Sequence, residues 1–392
     1  MTAPPQTLSR TPLLLAFALA LAAAVSLGLA RFSYALLLPP MRAELHWSYF
    51  TAGAMNTANA AGYLAGALLA SSWFARHDAL RIATIGGFAT AAILVAHAFA
   101  SSDAALYALR TLAGVASAAT FVGGGLLATR LSARAPHPGL VVGIYYGGAG
   151  LGILASTALV SPLPWRGAWM ALGLVSLACT ALTWAVARAS RDRLATGPDA
   201  STGARMHVPW APMGLLLGGY LMFGLGYIGY MTFIVTLLRE QGIARAWVAA
   251  FYALLGVGAV ASSWLWAGLL QRHRGGRALA LLNTILTVAT LLPVLSAQPA
   301  IVALSCALFG CSFLSVVAST TAFVRHNLPP VQWAAGIGAF TIVFALGQIL
   351  GPSLIGRLAD GPGGLQRGFV FSAIVLALGA LSGTRQRPLK SA

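Results

Sequence analysis

The stretch Gly28–Met41, G-L-A-R-F-S-Y-A-L-L-L-P-P-M, places an arginine inside an apolar run long enough to cross a membrane. The run opens near Leu13, and we predict that it closes at the Pro39–Pro40 pair. A guanidinium at bilayer depth costs roughly 2.5–3.5 kcal/mol on insertion scales, and such residues usually face a bundle interior or a water-filled cavity. The rest of the chain is therefore expected to enclose Arg31.

The composition is that of a membrane protein. Of the 392 residues, 58% are hydrophobic and 8% are charged, whereas about 25% charged residues are usual in soluble domains. The excess of 24 Lys and Arg over 7 Asp and Glu does not indicate nucleic-acid binding, because the basic residues are dispersed between apolar runs. The three cysteines lie in apolar runs without a C-x-x-C motif, which predicts neither a disulfide framework nor a metal site.

Hydropathy predicts an all-α membrane protein with twelve transmembrane helices. The predicted spans are 13–38, 48–72, 81–100, 104–129, 139–161, 167–188, 211–238, 247–270, 278–296, 300–325, 333–358 and 368–384. The one long polar connection falls near the middle of the chain. We therefore predict an N-terminal six-helix half at 1–188, a cytoplasmic linker at 189–210 and a C-terminal six-helix half at 211–392.

Charge and internal repetition support this arrangement. With a cytoplasmic N-terminus, the predicted cytoplasmic segments carry sixteen basic residues and the outer segments carry six, a positive-inside bias. At a constant offset of 196 residues the two halves share several residues, among them Gly28 and Gly224, Tyr34 and Tyr230, and Glu44 and Glu240. The offset indicates a duplicated six-helix unit related by a pseudo-twofold axis.

Local motifs resemble those of the major facilitator superfamily. L-R-T-L-A-G at 109–114 looks like its Arg-x-x-x-Gly element, and W-A-G-L-L-Q-R-H-R-G-G-R at 266–277 looks like its Gly- and Arg-rich loop. The first-half copy of that loop, at 66–81, lacks the usual acid. G-L-A-R-F-S-Y with L-L-P-P-M, followed by N-T-A-N-A-A-G-Y-L-A-G at 56–66, is similar to the bacterial YbfB/YjiJ-like branch. The superfamily's antiport motif expects a Gly-Pro in span 5, which this chain lacks.

The resemblance implies that spans 1, 4, 7 and 10 line a central cavity, on which Arg31 and Arg110 lie. Helix rise places both on the order of 10–12 Å below the outer surface, where paired guanidinium donors would suit a carboxylate or phosphate. Alternatively, Arg110 donates to backbone carbonyls of span 1 as a structural clamp. The predicted substrate-binding residues are Arg31, Tyr34, Arg110, Tyr145, Tyr227 and Tyr230; Asn56, Asn59, Tyr146 and Gln348 are further candidates that could equally join helices.

All seven acidic residues fall in predicted loops or at helix ends. Without an embedded carboxylate, the site is expected to prefer anionic or neutral ligands. We predict a bacterial inner-membrane secondary transporter of a small organic solute, monomeric, with protons as the candidate coupling ion and no enzymatic activity or cofactor. Efflux of hydrophobic, drug-like compounds and a membrane sensor without transport are the alternatives.

Overall fold

The structure, a computed structural model, describes residues 10–194 and 210–389. Within these ranges it contains twelve long helical segments and no β-strand, which confirms the predicted fold class. The segments are α1 (Arg10–Ala23, Ala24–Phe32 and Tyr34–Glu44), α2 (Tyr49–Arg76), α3 (Ala79–His97), α4 (Asp103–Ser132), α5 (Pro138–Val160), α6 (Trp165–Ala189), α7 (Trp210–Glu240), α8 (Arg245–Leu265, continued by Ala267–Arg272), α9 (Arg277–Leu295), α10 (Pro299–Asn327), α11 (Trp333–Ala359) and α12 (Gly364–Arg385).

Eleven of these helices are long and apolar enough to cross a membrane. The remaining one, α2, has 28 residues and hence sufficient length, but Asn56 and Asn59 reduce its mean hydropathy. The predicted linker 189–210 lies mostly outside the described residues, which omit 195–209. The division of the chain at that linker stays a prediction.

The middle of α1 is a π-helix, Ala24–Phe32. The Ser33 amide donates to the carbonyl of Gly28, five residues back, at 3.0 Å. Close neighbours hold this wide turn in place: a Cβ built on Gly28 would come within 2.3 Å of the Gly152 Cα of α5. π-turns inside α-helices are rare and are frequent at functional sites, and this one contains Arg31.

The prediction that the first span ends at Pro39–Pro40 is wrong, because the helix continues to Glu44. Proline removes an amide donor, but its fixed φ near −65° is itself a helical value, so a proline pair does not force the chain to turn. Arg31 therefore stands thirteen residues before the end of α1, or about 20 Å at helical rise. The helix therefore extends farther beyond Arg31 than the predicted 10–12 Å.

We refer to α1–α6 as the N-terminal set and to α7–α12 as the C-terminal set. Within the N-terminal set, α4 packs on α2 and α3, α3 on α6, and α1 on α5. Within the C-terminal set, α7 packs on α11 and α12, α8 on α10, and α9 on α12. The two sets meet where α2 packs on α11, α5 on α8, and the last part of α1 on α7.

One end of the bundle, which holds Glu44, Tyr49, Glu240 and Asp360 and is called the Glu44 end, is closed by contacts between the sets. The Asp360 carboxylate accepts hydrogen bonds from the amides of Tyr49 at 2.7 Å and Phe50 at 3.0 Å, the first residues of α2. Glu240 accepts a hydrogen bond from the Tyr49 hydroxyl and pairs with Arg42 at 3.5 Å. The opposite end is called the Arg76 end.

Glycines bring the helix backbones close together at most of the places where small residues recur four apart. Added Cβ atoms at Gly148 and Gly152 would clash with α1, and those at Gly347 and Gly351 would clash with α7. At Gly214 and Gly218, which are also four residues apart, an added Cβ has no described neighbouring atom within 4 Å. Sequence spacing alone therefore does not show which face of a helix is covered.

Candidate functional site

Arg31 is buried at the boundary between the two sets, with 4% of its surface exposed. Its Nε and Nη2 atoms are buried, and neither has a hydrogen-bond partner among the described residues. These two nitrogens form the side-on edge of the guanidinium, where two N–H bonds point in parallel and fit the two oxygens of one carboxylate. An uncompensated buried donor costs free energy, so the Arg31 edge is suited to an external acceptor.

The groups around Arg31 come from both sets of helices. The Tyr63 ring of α2 lies 5.5 Å from the Arg31 guanidinium carbon, and Arg31 also interacts electrostatically with the hydroxyl of Tyr227 on α7. The Tyr227 hydroxyl accepts a hydrogen bond from Nε2 of Gln348 on α11. Its own proton is therefore free to be donated.

Tyr146 on α5 completes the group. It interacts electrostatically with Tyr63, yet 46% of its surface is exposed. We call Arg31, Tyr63, Tyr146, Tyr227 and Gln348 the central cluster. It combines one cation, three phenols and one amide, contributed by five helices.

Arg110 has a different environment. It is 1% exposed, and its Nη1 donates to the carbonyl of Ala30 at 2.9 Å while Nη2 donates to Oδ1 of Asn56 at 3.3 Å. Its guanidinium carbon also lies 4.7 Å from the Tyr34 ring centre. The structure thus places Arg110 as a link between α4, α1 and α2, with both terminal nitrogens occupied.

The hydroxyls of three predicted tyrosines bond to groups outside the central cluster. Tyr34 donates to the carbonyl of Ala52 at 2.9 Å, and Tyr145 donates to the carbonyl of Phe121. Tyr230 bonds to Oγ of Ser305 at 2.7 Å and stacks on Phe309. The structure brings together Arg31 and Tyr227 of the six predicted binding residues and leaves the other four bonded to neighbouring helices.

Sequence reasoning missed Tyr63 as a site residue. Tyr63 follows Asn56 by seven residues and Asn59 by four, which is the spacing of one helix face. Because Asn56 and Asn59 were predicted candidates, extending the prediction along the same helix face would have included Tyr63. Tyr146 and Gln348 were named among the further candidates, and both belong to the central cluster.

In the part of the chain that the structure describes, no acidic side chain contacts Arg31. Each lies at a helix end or in a short connection. Glu44 bonds to Trp165 and Arg166, and Asp103 accepts from Nε1 of Trp47 at 2.8 Å. No group of three or more metal-ligating side chains occurs in the described ranges. The positive charge of Arg31 is therefore uncompensated by any described carboxylate.

Residues 23–383 match the family described as "Uncharacterised MFS-type transporter YbfB". The chain belongs to this family. Membership confirms the resemblance seen in Gly28–Met41 and 56–66, and it makes the chain a multi-pass membrane transporter of the major facilitator superfamily and not an enzyme.

One curated relative of this family member is the "Transcription regulatory protein OpdE" of Pseudomonas aeruginosa, 28% identical over 220 residues. The match covers 55% of this chain and 54% of the relative, so the chain spans about half the length of the relative that it matches.

Solved structures show the same fold at low identity. The nucleoside transporter NupG aligns with TM-score 0.71 and 16% identity over 97% of this chain and 100% of that one. A bacterial homologue of the human lysosomal transporter Spinster, inward-facing and unoccupied, aligns with TM-score 0.68 and 15% identity over 98% of each chain. The human organic anion transporter MFSD10 (TETRAN) aligns with TM-score 0.66 and 14% identity over 97% of this chain and 100% of that one.

Proposed function

We propose that this transporter moves a small organic anion across the bacterial inner membrane by alternating access. The observation that carries the proposal is the unpartnered side-on edge of Arg31, buried between the two sets of helices. A buried donor without an acceptor is costly, and a bound solute that supplies hydrogen-bond acceptors removes this cost.

Charge favours an anion over a neutral solute. Arg31 and Arg110 are close enough to interact electrostatically, and the described part of the protein offers no carboxylate beside them. Burying a cation without a counter-charge is unfavourable, and the cost falls when an anion binds. A neutral solute could fill the same space, but it would not reduce the free-energy cost of burying Arg31 without a counter-charge.

Contacts between the sets support alternating access. The Glu44 end is closed by the bonds of Asp360 and Glu240, which join the two sets of helices. With the Arg76 end cytoplasmic, as the positive-inside bias predicts, this conformation is closed on the outer side. Transport would require the contacts at the Glu44 end to break while the Arg76 end closes. Proton coupling and a monomeric state stay predictions.

Solute counterflow in proteoliposomes tests the proposal. Vesicles with the purified protein are loaded with a panel of unlabelled organic acids and assayed for uptake of the same labelled acids. We expect exchange of at least one anion, its loss in Arg31→Gln, and its retention in Arg81→Gln, which removes an exposed arginine at the Arg76 end. Exchange of neutral or hydrophobic cationic solutes alone, or unchanged exchange by Arg31→Gln, would contradict it.

A second function is favoured by the relative from Pseudomonas aeruginosa, which is described as a transcription regulatory protein. A membrane sensor would use the same site to bind a solute and would signal without moving it. The counterflow assay separates the two functions. A protein that binds an organic acid with a measurable thermal shift but exchanges no solute is a sensor.

A further inference from the structure

We infer that the solute is an aromatic carboxylate, whose carboxylate binds the side-on edge of Arg31 and whose ring lies against aromatic side chains of the C-terminal set. The inference rests on the proposed function and names the substrate class of the same site. It follows from three features of the central cluster: the shape of the free donor edge, the number of further donors, and the orientation of the neighbouring rings.

The donor edge fits a carboxylate in shape. Nε and Nη2 of Arg31 are the two nitrogens without a hydrogen-bond partner among the described residues, and their N–H bonds run parallel at a spacing that matches two oxygens on one carbon. A phosphate ester would bring a third oxygen and a second negative charge. Arg110 could not meet that extra demand with its terminal nitrogens, because Ala30 and Asn56 already accept their hydrogen bonds.

The remaining donors match the remaining acceptor sites. A carboxylate offers about four lone-pair positions, and Arg31 fills two of them. The Tyr227 hydroxyl accepts from Gln348 and so has its proton to donate. Tyr63 places a second hydroxyl where it interacts electrostatically with Arg31 and Tyr227. A carboxylate held by the Arg31 edge therefore has lone pairs left for the hydroxyls of Tyr227 and Tyr63.

Beyond this polar group the C-terminal set presents a stack of nearly parallel rings. Tyr227 lies 4.7 Å from Phe223 with an angle of 20° between their planes, and 5.6 Å from Phe344 at 17°. Phe313 continues the stack 6.3 Å from Tyr227 at 13°. Phe223, Tyr227 and Phe313 are at most 2% exposed, whereas Phe344 is partly buried, so Phe344 is the member of the stack with surface left for a further contact.

The stack and the donor edge are joined through neighbouring residues. Phe32, directly after Arg31 in the chain, meets Phe313 edge to face at 5.8 Å. Tyr227 is both a donor at the polar group and a member of the stack. A flat ring attached to the bound carboxylate and lying against Phe344 would share the orientation of the stack, and offset stacking favours such a flat ring over a puckered one.

Tyr146 is the most exposed residue of the central cluster. Its ring lies 5.9 Å from Phe121 on α4, and nearly half of its surface is exposed although it interacts electrostatically with Tyr63 inside the bundle. The proposed entry route for a small aromatic acid therefore runs past Tyr146.

Binding of four matched probes to the purified protein tests the inference. They are benzoate, benzamide (the same ring without charge), cyclohexanecarboxylate (the same charge without a flat ring) and phenylphosphonate, each measured by isothermal titration. We expect benzoate to bind at least tenfold more tightly than each of the other three. Equal binding of benzamide would overturn the carboxylate, equal binding of phenylphosphonate would overturn the choice of carboxylate over phosphate-type anions, and equal binding of cyclohexanecarboxylate would overturn the aromatic ring.

Two variants assign these preferences to residues. Arg31→Lys keeps the charge but removes the paired donors, so benzoate should bind to this variant at least tenfold more weakly. The control variant Arg81→Gln should bind benzoate as tightly as the unmodified protein does. Phe344→Leu should reduce the preference for benzoate over cyclohexanecarboxylate at least threefold, whereas Phe99→Leu, which alters a ring that is 72% exposed, should not. Unchanged benzoate binding in Arg31→Lys would overturn the carboxylate contact. An unchanged preference in Phe344→Leu would overturn the ring contact.

Counterflow distinguishes failure of the inference from failure of the proposed function. Exchange of an aliphatic acid that benzoate neither replaces nor inhibits would overturn the aromatic carboxylate and leave the anion transporter intact. Exchange of labelled benzoate that is lost in Arg31→Lys supports both. Absence of exchange for every acid tested, with benzoate still bound, would overturn transport and leave the site as described.

Discussion

Nη1 of Arg110 donates a hydrogen bond of 2.9 Å to the carbonyl oxygen of Ala30, the residue immediately before Arg31. The bond ties α4 to the π-helical turn of α1 and so helps to fix the backbone that presents Arg31. The other terminal nitrogen of Arg110 holds Asn56, whose own amide donates to Oγ1 of Thr232 on α7 at 2.7 Å. The two buried arginines thus have separate roles: Arg110 joins helices, and Arg31 keeps its donors free.

Replacing Arg31 with methionine should stabilise the protein in the absence of solute while abolishing its transport. The substitution keeps an unbranched side chain and removes a buried charge whose donors at Nε and Nη2 are unsatisfied, a gain of roughly 1–3 kcal/mol. Thermal unfolding of the detergent-purified variant would show a raised midpoint. A lowered midpoint would mean that Arg31 has a structural partner.

Replacing Arg110 with methionine should have the opposite effect on stability. It removes the bonds to Ala30 and Asn56 and leaves their buried oxygens without these donors, a loss of roughly 2–4 kcal/mol if each costs about 1–2. The same thermal assay applies, with Arg31→Met as the matched comparison. If both variants move the midpoint in the same direction, the division of roles between the arginines is incorrect.

Neutralising Asp360 should open the Glu44 end. Asp360→Asn removes the charge that accepts hydrogen bonds from the first amides of α2, which weakens the closed state by roughly 1–2 kcal/mol, about five- to thirtyfold in the ratio of states. Maleimide labelling of Thr57→Cys, in a chain whose three native cysteines are replaced by alanine, would report the opening, because Thr57 contacts Ile349 between the sets.

The control for that experiment is Asp78→Asn, which removes a similar charge from the start of α3 at the Arg76 end. It should leave the labelling of Thr57→Cys unchanged. Equal labelling rates in the Asp360 variant and the unmodified protein would show that these hydrogen bonds do not hold the Glu44 end closed.

Glycine substitutions should separate close contacts from open helix faces. Gly28→Ala places a Cβ within 2.3 Å of the Gly152 Cα, so α1 and α5 must move apart, whereas Gly214→Ala meets no atom within 4 Å. We expect Gly28→Ala to lower the unfolding midpoint and to reduce transport. Gly214→Ala should raise helix stability by up to about 1 kcal/mol. Similar midpoints for the two variants would contradict the packing described for α1.

Removing single hydroxyls should distinguish the tyrosines. Tyr34→Phe and Tyr230→Phe lose bonds to Ala52 and Ser305 that join helices, so we expect a loss of about 1 kcal/mol in stability each and an unchanged apparent affinity for a transported anion. Tyr227→Phe should weaken that affinity about fivefold because it removes a donor beside Arg31. Concentration-dependent counterflow gives the affinities, and a reversed order would contradict the central cluster.

Long apolar runs let the sequence predict the helices, because a helix that crosses a bilayer must satisfy its backbone internally and present apolar side chains to lipid. For the same reason Arg31 was conspicuous in the sequence, and its burial could be expected. The end of α1 was predicted wrongly, since proline alters hydrogen bonding locally but packing decides whether the helix goes on. Tyr63 was missed because an aromatic residue on a transmembrane helix can face lipid, protein or cavity.

The sequence by itself determined the fold, the family and the unusual charge at position 31, since all three depend on hydropathy and short motifs along the chain. Only the tertiary structure decided which polar atoms are occupied. Arg31 and Arg110 are both lone cations in apolar runs, and hydropathy does not distinguish between them. They differ because the π-helical turn brings the Ala30 carbonyl to Arg110, while Nε and Nη2 of Arg31 meet no acceptor on the neighbouring helices.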